Sequence, residues 1–145
     1  MNKTKNKKIA FYVNSYYQAR DVIYTAKKFS IIPFIGFKYY IVKNIGIIWI
    51  AEINKLLLEE FNNNDYKVLI DCRNNPALVI NCIKKGFFYI NFNANQIIQK
   101  NIKDISNQSK TTLNPLVKII DMRQIKNCKN YTNRILINFK EGKNG

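Results

Sequence analysis

The chain has 145 residues, room for one domain with its own core and too few for two of ordinary size. At 47% hydrophobic and 23% charged it belongs with globular proteins, which excludes a disordered or fibrous chain. With 24 basic residues against 9 acidic, the formal charge of +15 invites anionic partners, nucleic acid among them. The abundance of Lys, Asn and Ile offers a competing, purely compositional origin, and Lys far outnumbers Arg, the better residue for bidentate phosphate contacts.

In chain order, residues 1–8 read as a basic flexible tail and 9–13 as a first strand ending at Asn14 and Ser15. Over 17–29 the apolar residues Ala19, Val22, Ile23, Ala26 and Phe29 recur at helical spacing. Residues 31–37 are the next strand, with Pro33 marking its start or an edge position. A loop is expected over 38–44. The longest helix follows over 46–61, with Ile45, Trp49, Ile53, Leu56 and Leu57 facing inward.

The central stretch is 66–93, read as strand, short helix and strand. Val68, Leu69 and Ile70 form the continuous apolar run of a doubly covered parallel strand, which Asp71, Cys72 and Arg73 end. Asn75 suits an N-cap, Pro76 the first helical position and Gly86 the left-handed residue after the helix. Leu78, Val79, Cys82 and Ile83 supply its inner face, and 87–92 is the following strand. A right-handed βαβ unit makes the two strands parallel, with Asp71–Arg73 and Asn91–Asn93 at one end of the sheet. Ligands bind at that end in open α/β sheets and barrels alike.

Residues 96–107 form a helix with Ile97, Ile98, Ile102 and Ile105 inward, and 111–113 a short strand. Pro115 opens either a helix through Met122 or, nearly as well, gives way to a strand over 116–121. Residues 126–133 read as a polar loop, 134–139 as a strand or extended segment, and 141–145 as a flexible tail. The fold class is therefore α/β, a single domain over 9–140 with a mostly parallel sheet of four to five strands. Two arrangements fit it: a half-TIM-barrel-like sheet, or an open, doubly wound, three-layer one.

Cys72, Cys82 and Cys128 are odd in number and lack CxxC spacing, which fits a reducing compartment better than a disulfide framework. The basic start is followed by an apolar run too short for a secretory signal, and Lys38, Lys43 and Asn44 interrupt the most apolar segment, 31–51. A cytoplasmic protein that inserts in no membrane is expected.

Residues 10–93 resemble the first half of a class II, metal-dependent fructose-bisphosphate aldolase barrel. The likeness lies in AFYVN at 10–14, in Gln18-Ala19-Arg20 and Thr25-Ala26-Lys27-Lys28, in Pro33, in the Gly46–Trp49 helix start, and in LIDCRNNPALVINCIKKGFFYINF. The chain is also similar to short, uncharacterised single-domain proteins of alphaproteobacteria with an Asp-Cys pair at the same turn. The aldolase resemblance implies a divalent metal on histidines, and this chain has no histidine. Leu69 and Cys72 stand where two of them would be, and Asp71 alone matches, at the place of the family's catalytic acid. No metal, no cofactor and no class II aldolase activity are expected.

The candidate catalytic pair is Asp71 and Cys72, a carboxylate beside a thiol that a helix N-terminus could acidify. The competing reading makes Asp71 a turn cap and Cys72 a small buried hydrophobe. Asn14, Lys38, Arg73, Asn91 and Asn93 are candidate ligand-binding residues at the strand ends. A non-catalytic domain binding a small anionic, phosphorylated ligand or a partner protein there is the leading expectation. A basic nucleic-acid-binding module, with tyrosines stacking on bases beside lysines, is the alternative, and an enzyme using Asp71 and Cys72 the third. A homodimer is a further possibility, because so few strands leave sheet edges.

Overall fold

The computed structural model describes residues 8–142. The tails expected over 1–8 and 141–145 lie mostly outside the described residues, although Lys8 opens the first strand and Glu141 caps the last helix.

Strand and helix alternate from the start: β1 (Lys8–Tyr12), α1 (Tyr16–Lys28), β2 (Phe34–Phe37), α2 (Tyr39–Asn44), α3 (Ile47–Glu60), β3 (Lys67–Arg73), α4 (Pro76–Lys84), β4 (Tyr89–Phe92) and α5 (Gln96–Gln108). Two strands then follow in succession, β5 (Thr112–Leu113) and β6 (Val117–Asp121), before α6 (Cys128–Lys140). All pairings are parallel, in the order β5-β4-β3-β2-β1-β6. The α/β class with a parallel sheet is as expected, and the sheet has six strands, not four or five.

Local chemistry explains most boundaries. Ser15, Asn75, Asn95 and Asn127 each accept a backbone N–H of the first turn of the helix they precede. Pro76 occupies the first turn of α4, and Gly86 takes φ +87° after it. Pro33 immediately precedes β2, which is central in the sheet, so the proline marks a start and not an edge.

Several expectations are corrected. The loop over 38–44 is helix α2, held by the burial of Ile41 and Val42. The polar loop and strand expected over 126–139 are one helix, α6, which buries Cys128, Thr132 and Leu136 at intervals of four. A helix opened by Pro115 does not form; the strand alternative does, as β6. Strand β3 runs on through Asp71, Cys72 and Arg73 instead of ending at them. Among inward-facing residues, Ile45, Leu56, Ile97 and Ile105 are exposed, while Ile50 and Ser106 take buried positions in their helices.

From β1 to β5 each strand is laid beside the last in one direction, so right-handed crossovers put every connecting helix on one face. The buried side chains agree. Ile9, Phe11, Ile35, Phe37, Ile70, Cys72, Ile90, Phe92 and Ile120 share one cluster with buried residues of all six helices. The alternate residues Ala10, Tyr12, Phe34 and Leu69 form a second, small cluster that includes no helical residue. The sheet is thus open, six-stranded and all parallel, with the helices' buried residues in one cluster and the alternate strand residues in another.

The curvature follows from chain length. β5 and β6 lie at opposite ends of the strand order, yet only residues 114–116 join them. A flat six-stranded sheet would separate its end strands by about 24 Å at ~4.8 Å per strand. Four Cα steps reach only about 14 Å, so the sheet must curl. Across its concave face the Phe34 and Tyr89 rings meet with centroids 5.1 Å apart, although β3 lies between their strands. Asn91 of β4 likewise reaches Tyr12 of β1, three strands away.

Candidate functional site

Strand alternation decides which candidate residues can meet. Adjacent residues of β3 point to opposite faces. Cys72 is fully buried on the helix side, with its Sγ 3.8 Å from the Sγ of Cys82 on α4. That contact and burial push the Cys72 thiol well above its ordinary range. Asp71 lies on the concave side, where its charge adds to burial in raising the Tyr12 phenol. The structure therefore does not bring Asp71 and Cys72 together in one site. Asp71 Oδ1 accepts the N–H of Arg73 (3.1 Å), the turn-capping arrangement, and Arg73 itself takes φ +48°.

The remaining candidates gather at the C-terminal end of the sheet in two groups. On the concave face, the side-chain amide of Asn91 donates to the Tyr12 hydroxyl (3.1 Å), and the Lys38 ammonium sits 4.4 Å from the centre of the Tyr12 ring. Gly36 makes room for that ring: a Cβ there would lie 2.8 Å from two of its carbons. On the rim, Arg73 lies over the ring of Tyr39 (5.0 Å), and Asn93 donates its backbone N–H to the Arg73 carbonyl (2.8 Å). Asn14 Oδ1 accepts the Tyr40 hydroxyl (2.9 Å).

Sequence reasoning missed the far side of this rim. Arg123, two residues beyond β6, lies over the ring of Tyr40 (5.5 Å) and forms a two-pronged ion pair with Asp121, at 2.7 and 2.6 Å. The hydrogen bond from Arg123 holds the Asp121 carboxyl down to about 2, with the nearby Lys38 charge contributing. A signal was present. Ile70-Asp71-Cys72-Arg73 and Ile120-Asp121-Met122-Arg123 are the same Ile-Asp-x-Arg pattern at two strand ends. Both isoleucines are buried, as are Cys72 and Met122, and both aspartates cap the N–H of their arginines. The two arginines thus approach the adjacent tyrosines at the start of α2, Tyr39 from one motif and Tyr40 from the other.

Glutamine side chains lock the loops beneath this rim. Gln18 accepts from the N–H of Asn14 (2.7 Å) and donates to the Met122 carbonyl (2.8 Å), tying the β1–α1 turn to the end of β6. Gln99 repeats the device, accepting from Ala94 N–H and donating to the Phe92 carbonyl. Gln18 also reaches the Arg123 carbonyl at 3.3 Å, so Arg123 is displayed from a tied backbone.

The donor set does not fit the divalent metal that the aldolase resemblance implies. Leu69 is a hydrocarbon, Cys72 faces the helices, and Asp71 is left as a lone oxygen ligand; among the described residues no group of three or more His, Cys, Asp or Glu is placed to hold a metal ion. No helix among the described residues is long and apolar enough to cross a membrane. Concavities also lie away from the rim. One of about 280 Å³ is at the N-terminal ends of β3 and β4, beside Tyr66, Lys67 and Phe87, and one of about 700 Å³ is on α6. Compared with known proteins, the chain matches no protein-family model and no curated protein.

Proposed function

We propose that the protein is a binding domain that takes a small phosphorylated anion at the C-terminal end of its sheet. The observation that carries this reading is the convergence of Lys38, Arg73 and Arg123 on the start of α2, each placed over a tyrosine ring. Arginine forks match phosphate geometry, and rings beneath the cations hold them in place at small entropic cost. Asp121 serves as the resting partner of Arg123, which an incoming phosphate would replace. The chemistry is recognition without turnover: the thiol is buried and protonated, and Asp71 is occupied as a cap.

Kinship with half of a class II aldolase barrel is part of this reading, supported by parallel strands that carry their helices on one face. So is a cytoplasmic setting, supported by three cysteines that are all free and buried. The test is thermal unfolding with inorganic phosphate and with glycerol phosphate, against sodium chloride of equal ionic strength. A ligand at 100 times its Kd stabilises by about 2.7 kcal/mol, and Arg73→Ala or Arg123→Ala should abolish the gain. Equal stabilisation by chloride would overturn the proposal.

A further inference from the structure

We infer that the exposed face shared by α1 and the start of α6 binds single-stranded nucleic acid. The inference is independent of the anion site and rests on other residues. Tyr17, Arg20, Tyr24 and Lys28 follow one another at intervals of three and four along α1, so they form a single stripe on the helix. Two of them are large aromatic rings left in water, Tyr17 at 65% and Tyr24 at 48% exposure. Each ring is accompanied by cations. The Arg20 guanidinium lies 5.2 Å from the centre of Tyr17, and the ammonium groups of Lys28 and of Lys129, from α6, lie 4.7 and 4.9 Å from the centre of Tyr24.

Seven residues separate the two tyrosines, about 10.5 Å along the helix at ~1.5 Å per residue. The start of α6 also carries a concavity of about 700 Å³ lined by Lys126, Asn130, Tyr131 and Arg134 among others, with no carboxylate in its wall. There the Arg134 guanidinium again lies over a ring, that of Tyr131, at 5.5 Å. Two acids lie by the stripe and both are engaged: Asp21 pairs with Arg20 at 3.6 Å, and Glu60 accepts the hydroxyl of Tyr16, whose ring packs against Tyr17.

These are the components that recognition of a single strand requires: ring faces for bases, cations for phosphates and amides for base edges. A duplex hides its base faces and could use only the cations, and an acidic peptide has no use for the rings. The +15 net charge adds long-range attraction to the strand.

The test is fluorescence anisotropy of the full chain with a fluorescein-labelled twelve-nucleotide oligouridylate at a series of salt concentrations. Binding should saturate and weaken linearly in log–log form with salt. Tyr17→Ala with Tyr24→Ala should weaken it about tenfold or more while leaving the salt slope unchanged, because stacking and phosphate contacts are separate contributions. Tyr17→Trp with Tyr24→Trp should preserve affinity, which guards against reading a folding defect as lost contact. Lys28→Ala with Lys129→Ala should reduce the slope by about 1.4, two contacts at ~0.7 each. The inference is overturned if the double alanine variant binds as well as the parent or if a duplex of equal length binds as tightly. Capture by anionic phosphatidylserine vesicles with no binding of the oligonucleotide would overturn it equally.

Discussion

Asp121 and Arg123 show how much one strand end depends on protonation. Arg123 holds the folded carboxyl at about 2, below the ~3.9 of an unfolded aspartate. A depressed carboxyl stabilises the fold above the unfolded value, and the contribution is lost as pH falls from about 4 to about 2. The Asp121 side chain is 49% exposed, so the effect should stay below about 1 kcal/mol. Asp121→Asn is therefore expected to cost that small amount at pH 7 and only a fraction of it at pH 2, where about half of the folded carboxyls are still ionised, measured by urea unfolding at both values. A difference undiminished at pH 2 would assign the cost to packing and not to charge. Gly36 carries a larger consequence. Its substituent would meet the buried Tyr12 ring at 2.8 Å, and overpacking of that kind costs about 1–3 kcal/mol. Gly36→Ala should lower stability by that amount and move Tyr12 off Asn91, seen as a changed Tyr12 environment by NMR. An unchanged Tyr12 signal would show that the ring has room to yield.

At the scale of elements, legibility tracks how aliphatic each buried face is. The unit from β3 to β4 was readable because Val68, Leu69 and Ile70 carry the strand, and Asn75, Pro76 and Gly86 mark both ends of α4. Helix α6 was not, because two of its three buried residues are Cys128 and Thr132, which an apolar pattern search passes over. Helix α2 has six residues, too few to display a period, and its β-branched Ile41 and Val42 favour helix only because they are buried there. The site followed the same division. Asp71, Arg73, Asn91 and Asn93 were placed correctly at one end, but the strand's continuation past Ile70 turned Cys72 away from Asp71. The second Ile-Asp-x-Arg motif went unnoticed because 115–122 reads nearly equally well as a helix or as a strand. The turn at that proline supports a prediction of its own. Asn114, at φ +51°, uses its side-chain amide as a strand residue would use its backbone, accepting from Phe92 N–H at 2.8 Å and donating to the Phe92 carbonyl at 2.9 Å. Asn114→Ala loses both bonds and places an alanine in left-handed backbone, whereas Asn114→Gly loses only the bonds. The glycine variant should cost about 1–3 kcal/mol for the two bonds, and the alanine variant about 1 kcal/mol more, by denaturant unfolding. Equal losses would mean that φ at this position relaxes freely.

For the molecule as a whole, the question raised by a sheet of this size is what becomes of its edges. An unpaired edge invites a second copy, and proteins blunt such edges by keeping them short or covered. Here one end strand, β5, has two residues, and the other, β6, is followed by α6, which packs along α1 and reaches the Phe29 carbonyl with the Lys140 ammonium at 2.8 Å. Residues 114–116 join the two end strands by a short connection. The concave face has its own filling in Tyr12, Phe34, Leu69 and Tyr89. On β6 it leaves Ile119 in water, one large apolar residue, whereas a stable dimer buries at least about 1,200 Å² in total. The high positive charge adds repulsion between copies. We therefore expect a monomer. Sedimentation equilibrium across a wide concentration range, at physiological salt, should fit a single species of 17.1 kDa. A dimer that persists at nanomolar protein would mean that the concave face is completed by a second copy. Leu116→Lys with Ile119→Lys would then dissociate it, and a dimer that survived those changes would place the interface on the helical side.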